Sequence, residues 1–145
     1  MLQCGRIKEV SSYNVYIKSP LSVASNNEKN RLILDLRYLN GLVLRFQYED
    51  LRPFSDLFRL GDWFFKFDYK SGYHHVDIYP EHWKYLVFCW GTGKSKQYFV
   101  FTVLPFGLAM APFVFTKIQK ALLKHWRAQG IRIFPYLDHH YRKPS

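Results

Sequence analysis

Two aspartates close apolar runs in this chain. Asp68 follows Trp63-Phe64-Phe65-Lys66-Phe67, and Asp138 follows Ile131-Arg132-Ile133-Phe134-Pro135-Tyr136-Leu137. If both runs are strands, alternation puts Trp63, Phe65 and Phe67 on one face and Lys66 and Asp68 on the other. Two carboxylates meeting at adjacent strand ends offer the oxygen ligands that Mg²⁺ prefers. Such a pair is the smallest protein contribution to a two-metal phosphoryl-transfer site. Spacing alone does not single out this chemistry, because an aspartate at a strand end is commonly a turn residue.

The elements that would position the pair can be read along the chain. Tyr13-Asn14-Val15-Tyr16-Ile17 is strand-like, and the polar stretch 24–30 predicts a hairpin loop before a strand over Arg31–Leu36. Pro53 to Leu60 reads as a short helix ended by Gly61. Strands are expected over Trp63–Asp68, Lys84–Trp90, Gln97–Val103 and Ile131–Leu137. The loop Gly91-Thr92-Gly93-Lys94-Ser95-Lys96 joins the middle two as a hairpin. Residues 112–129 make the longest helix, bounded by Pro112 and Gly130. Phe115, Ile118, Leu122 and Trp126 form its apolar stripe, with Lys117, Lys120, Lys124 and Arg127 opposite as a solvated basic face. These elements predict an α+β fold, an antiparallel sheet packed on helices.

Composition narrows the partners. The 145 residues are 48% hydrophobic, enough for one core, and carry a formal charge of +10 from 21 basic and 11 acidic residues. That balance points to a polyanion, and an aromatic content of 19% adds rings that could stack on bases. Cys4 and Cys89 form neither a disulfide framework nor a metal motif, which fits a reducing compartment. No run is apolar and long enough to span a membrane, and the N-terminal residues lack a signal-peptide core, so an intracellular, non-membrane protein is expected. His74, His75, His82 and His125 lack zinc-site spacing and are read as surface or core residues.

Four segments in order give the chemistry a family. Arg31-Leu32-Ile33-Leu34-Asp35-Leu36-Arg37-Tyr38-Leu39-Asn40 resembles the fingers motif of reverse transcriptases, and Lys66-Phe67-Asp68-Tyr69-Lys70-Ser71-Gly72-Tyr73-His74-His75 their first catalytic motif. Leu104-Pro105-Phe106-Gly107-Leu108, with Ala111-Pro112 and Phe115, resembles their substrate-positioning motif. Tyr136-Leu137-Asp138 resembles the start of the Tyr-x-Asp-Asp box. The resemblance spans roughly residues 15–138, and its wording is nearest to retrotransposon enzymes of the tyrosine-recombinase-bearing, DIRS-like group.

The resemblance implies a fingers region over about 1–60 and a palm over about 61–138 with an interposed fingers hairpin, together one reverse transcriptase domain. It implies two Mg²⁺ ions on Asp68 and Asp138, an RNA or DNA template-primer, and deoxynucleoside triphosphates as substrates. Lys29 and Arg31 would meet the triphosphate, where a guanidinium matches phosphate oxygens. Tyr73 would lie beneath the sugar and exclude a 2′-hydroxyl. Phe106 and Gly107 would line the pocket, glycine allowing close backbone approach.

The chain departs from the family pattern after Asp138. His139 stands where the box calls for a second aspartate, and His140-Tyr141-Arg142-Lys143-Pro144-Ser145 make a poor return strand for a hairpin. The sequence thus predicts an incomplete domain with an aberrant tail at 139–145, lacking turnover. The rival expectation is a non-catalytic nucleic-acid-binding remnant of a retrotransposon. A basic membrane-surface protein is a third class, with only the helix over 112–129 to support it.

Overall fold

The computed structural model describes residues 2–11, 15–26, 29–43, 59–61, 63 and 67–133. In chain order its principal elements are β1 (Ile7–Val10), β2 (Leu21–Asn26), β3 (Lys29–Leu34), α1 (Arg37–Leu42), β4 (Val87–Trp90), β5 (Gln97–Phe101) and α2 (Ala111–Ala128). Short 3-10 turns cover Gly72–His75 and Pro80–Tyr85. Helices accompany two antiparallel sheets, so the fold is α+β, as the sequence led us to expect.

One sheet has the order β1-β5-β4, with Val87 opposite Val100 and Val100 opposite Lys8, and with Phe88 opposite Phe99 and Phe99 opposite Glu9. Alternation then sends Phe88, Phe99, Phe101 and Ile7 to one face. There Phe88 packs on Phe99 and Phe101, with ring centroids 5.7 and 5.5 Å apart. The other sheet is the β2–β3 hairpin, in register from Leu21↔Leu34 to Asn26↔Lys29. Leu34, Leu36 and Leu39 carry the hairpin and α1 into the phenylalanine cluster. Each such side chain contributes about 1.5–3 kcal/mol when fully buried. Backbone bonds tie the units together: the Ser19 N–H donates to the Val87 carbonyl, and the Asp35 N–H to the Pro20 carbonyl, both at 2.8 Å.

An aspartate lies two residues before α1. The Asp35 carboxylate accepts the Arg37 N–H at 3.1 Å, satisfying one of the donors that a first helical turn leaves open. It also takes the Arg37 guanidinium in a two-point grip, Nε–H to Oδ1 at 2.9 Å and Nη2–H to Oδ2 at 2.6 Å. This partner holds the Asp35 carboxyl at about 2, below the ordinary 3.8.

Several expected boundaries shift. Lys84 and Tyr85 belong to the Pro80–Tyr85 turn rather than to a strand, because Pro80 starts a helical turn in front of β4. The second strand of that hairpin ends at Phe101 instead of Val103. Where a loop over 24–30 was expected, β2 runs to Asn26 and β3 starts at Lys29. On α2, Ile118 is 52% exposed and Leu122 is 39% exposed, while Leu123 is buried. Phe115 and Trp126 of the expected stripe do meet other elements, so the inward side includes these two and Leu123 but not Ile118 or Leu122. Ile131–Ile133 lie in no strand, and neither do Trp63, Phe67 and Asp68. The helix expected over Pro53–Leu60 falls almost wholly outside the described residues, as do Phe64–Lys66 and Phe134–Leu137.

Candidate active site

The site grows from a continuation of the main sheet. Beyond β5 the chain stays extended, and the segment that follows the Gly72–His75 turn runs antiparallel to it through an Asp77↔Val103 bridge. The Ile78 N–H donates to the Thr102 carbonyl at 2.8 Å, and the Leu104 N–H donates to the Val76 carbonyl at 2.9 Å. Tyr73 lies just before this short ladder on one strand and Phe106 just after it on the other. The pairing therefore delivers two distant residues to the same place.

Tyr73 is 7% exposed, and its ring lies 5.1 Å from Phe106 and 5.4 Å from Phe115 of α2. Phe106 is half exposed and closes the outer side of this contact. A Cβ on Gly72 would come within 2.9 Å of the Phe115 ring and 3.3 Å of the Tyr69 Cβ. The glycine thus lets the Tyr73 turn seat directly on α2. Ser71 precedes it in the left-handed region, φ 57° and ψ 47°, an uncommon conformation for a residue with a side chain. Gly107 has φ +92°, but a Cβ there would meet only the Leu34 carbonyl at 3.7 Å. Its backbone angle alone favours glycine, whatever the space around it.

Asp68 is exposed and sits between two anchored rings. Phe67 lies edge-on to Trp126 of α2 with centroids 6.2 Å apart, and Tyr69 lies edge-on to Phe115 at 5.8 Å. Lys29 and Arg31 are on β3, opposite Asn26 and Ala24. Asp138 and His139 lie outside the described residues. The structure therefore joins Tyr73 and Phe106 directly, with Gly107 in the same turn. Asp68 reaches this assembly through its neighbours' contacts with α2. Among the described residues no three His, Cys, Asp or Glu side chains converge as a metal site. Asp68 supplies a hard oxygen donor of the kind Mg²⁺ takes.

The reverse transcriptase (RNA-dependent DNA polymerase) family model matches residues 20–141. The chain belongs to the reverse transcriptase family. A search of curated proteins finds no match.

Two residues of this reverse transcriptase domain lie in the quoted motifs but were given no site role by the sequence. One is Asn40, whose side chain bonds the backbone of the Phe106–Gly107 turn. The other is His74, read only as surface or core, which is buried against the Phe106 ring. Its imidazole lies 5.1 Å from the Phe106 ring and 6.5 Å from Phe101. Its Nδ1 lies 3.4 Å from the Arg6 guanidinium. Arginine can only donate, so Nδ1 is the acceptor and the neutral ring carries its proton on Nε2. Burial first, then the charges of Arg6 and His75, push the His74 pKa below the ordinary 6.5.

The consequence for stability has a definite sign. With a folded pKa below the unfolded one, the unfolded chain binds the extra proton as pH falls past 6.5. His74 therefore leaves stability untouched above that pH and lowers it progressively below. We expect thermal unfolding midpoints measured between about pH 5 and pH 8 to fall on the acid side, and to fall less in His74→Phe. Equal acid sensitivity in the variant would show that other groups control this response.

The basic surface differs from simple interleaving of free cations and rings. Lys8 Nζ lies over the Trp83 ring at 4.7 Å, and Lys84 Nζ over Tyr85 at 5.3 Å and Tyr16 at 5.8 Å. These rings already carry the protein's own cations. Lys117, Lys120 and Lys124 line an exposed face of α2. No helix among the described residues is long and apolar enough to cross a membrane.

Proposed function

We propose that this chain carries the fingers and palm of a retrotransposon RNA-directed DNA polymerase of the DIRS-like group, and that it holds substrates without turning them over. On this reading residues 1–60 are fingers and 61–138 palm, with the β4–β5 hairpin as the interposed fingers element. The deoxynucleoside triphosphate lies against Tyr73, Phe106 and Gly107, with Lys29 and Arg31 toward its phosphates. Asp68 and Asp138 would hold two Mg²⁺ ions, which when bound would activate the primer 3′-hydroxyl and stabilise the leaving pyrophosphate. In the family's reaction the primer 3′-hydroxyl would lose its proton to a base or water and its oxygen would bond to the α-phosphorus as the bond to pyrophosphate breaks, a step this chain is read as not completing. What supports this reading is the single wall formed by Tyr73 and Phe106, from two motifs that both lie within the residues the family model matches.

The inactive form of the reading rests on His139. An imidazole is a poor Mg²⁺ ligand and brings no negative charge at neutral pH. That residue favours a nucleic-acid-binding remnant over a working enzyme.

Binding is therefore the property to test. With a formal charge of +10, the chain should bind single-stranded and primer-template nucleic acid with no sequence preference. If about four phosphates are contacted, counterion release lowers affinity roughly 100-fold between about 50 and 200 mM salt. Fluorescence anisotropy with a labelled primer-template measures this directly. Equal affinity at both concentrations would rule out the electrostatic mechanism.

A further inference from the structure

Phe106 and Gly107 are exposed, yet the turn that carries them is pinned from inside by one residue of another motif. The Asn40 side chain donates from Nδ2 to the Gly107 carbonyl at 2.8 Å, and its Oδ1 accepts the Ala109 N–H at 2.8 Å. A carboxamide is suited to this task because it carries a donor and an acceptor side by side. Asn40 is itself held at the end of a short path into the core. Its N–H donates to the Leu36 carbonyl at 2.7 Å, and Leu36 and Leu39, which precede it, are buried in the phenylalanine cluster. Beyond Ala109 the chain enters α2 at once, with the Ala111 N–H donating to the Leu108 carbonyl at 3.0 Å.

We propose that Asn40 is a positioning residue that latches α1 to the 106–109 turn, setting where Phe106 and the Gly107 backbone stand relative to Tyr73. The proposal rests on the reading of that wall as a nucleotide pocket. Gly107 at φ +92° is a flexible point between buried Pro105 and α2, and the two bonds from Asn40 remove that freedom. The Tyr73–Phe106 contact is then preset before any ligand arrives, which lowers the ordering cost of binding. Asn40 touches no reacting atom in this scheme. It acts through the turn.

The test separates the latch from the pocket. Hydrogen exchange over residues 104–110 and over β5 would be followed in the wild-type chain, Asn40→Ala and Asn40→Asp, with dGTP and Mg²⁺ affinity measured on the same samples. Asn40→Ala is expected to accelerate exchange over 104–110 by about tenfold or more, as the loss of its hydrogen bonds implies, while β5 keeps its protection. Affinity for dGTP should drop about tenfold in the same variant. Asn40→Asp keeps an acceptor for the Ala109 N–H but loses the donor to Gly107, so its exchange should fall between the other two. Unchanged exchange over 104–110 in Asn40→Ala would overturn the latch. Loss of protection across β5 in both variants would overturn it too, making Asn40 a general fold residue. Faster exchange over 104–110 with wild-type dGTP affinity would overturn the positioning role. A wild-type chain that binds no dGTP, with 104–110 still released by Asn40→Ala, would overturn the nucleotide reading alone.

Discussion

Template-directed primer extension by these 145 residues with Mg²⁺ is expected to be undetectable, and His139→Asp by itself is not expected to restore it. Polymerisation asks the protein for charge stabilisation and positioning, since the metal ions and the triphosphate carry the bond changes. In GTPases, an arginine that stabilises charge on the transferred phosphoryl is worth about 10³- to 10⁵-fold. On the proposed reading, His139 brings no negative charge next to Asp138 in the sequence, where a second carboxylate would help balance two divalent cations. Restoring the charge addresses only half of the requirement. Asp138 must also be held to within about 0.5 Å of its working geometry, and the family holds it on a hairpin. The six residues after His139, His140-Tyr141-Arg142-Lys143-Pro144-Ser145, are polar and basic with a proline, a weak return strand for that hairpin. Gel-resolved extension of a labelled primer, first with Mg²⁺ and then with Mn²⁺, measures the outcome. Extension by the unmodified chain would overturn the inactive reading. Extension by His139→Asp alone would identify the lost carboxylate as the dominant defect.

What could be read from the sequence depended on how locally each element is determined. α2 was legible to within one residue at each end, because Pro112 and Gly130 mark its ends. β1 was not recognised. Ile7-Lys8-Glu9-Val10 has two charged residues in four, and it becomes a strand through pairing with β5 at a distant register. α1 was missed for a related reason. Six residues that include Gly41 are too few to form a helix unaided, and Leu36 and Leu39 hold it by packing. The direction of the α2 stripe was misjudged at Ile118 and Leu122, since periodicity identifies an apolar side without saying which part of it meets a neighbour. At the site, the motifs singled out Tyr73, Phe106 and Gly107, which the structure brings into one wall and its adjoining turn. Neither the Asn40 latch nor the His74–Phe106 contact could be read from the sequence. Both are set by the pairing of residues 76–78 with 102–104 and by the burial of α1, and neither leaves a local pattern.

The second large effect follows from Tyr73 being part of the core as well as a wall of the proposed pocket. Tyr73→Ala is expected to cost about 3–5 kcal/mol of folding stability, the range for removing a large buried aromatic side chain. The ring is packed among Leu104, Ala111 and Phe115, with Phe106 across its outer side, and Gly72 admits no larger residue without displacing Phe115. These neighbours belong to a turn, an extended segment and the first turns of α2, so the cavity cannot close without moving all three. A domain has only about 5–15 kcal/mol in total, so this one change approaches the limit of folding. The substitution that would test exclusion of a 2′-hydroxyl thus also empties the core. Selectivity must be read as the ratio of deoxyribonucleotide to ribonucleotide affinity, which a uniform loss of folded protein leaves unchanged. Denaturant unfolding should show the large loss in Tyr73→Ala and a much smaller one in Tyr73→Phe, which keeps the ring. If Tyr73→Ala unfolds at the wild-type midpoint, the ring is not the core element described above. If it is destabilised but the affinity ratio is unchanged, Tyr73 is a packing residue and the sugar is selected elsewhere. A ratio that collapses in Tyr73→Ala and survives in Tyr73→Phe would give the ring both roles.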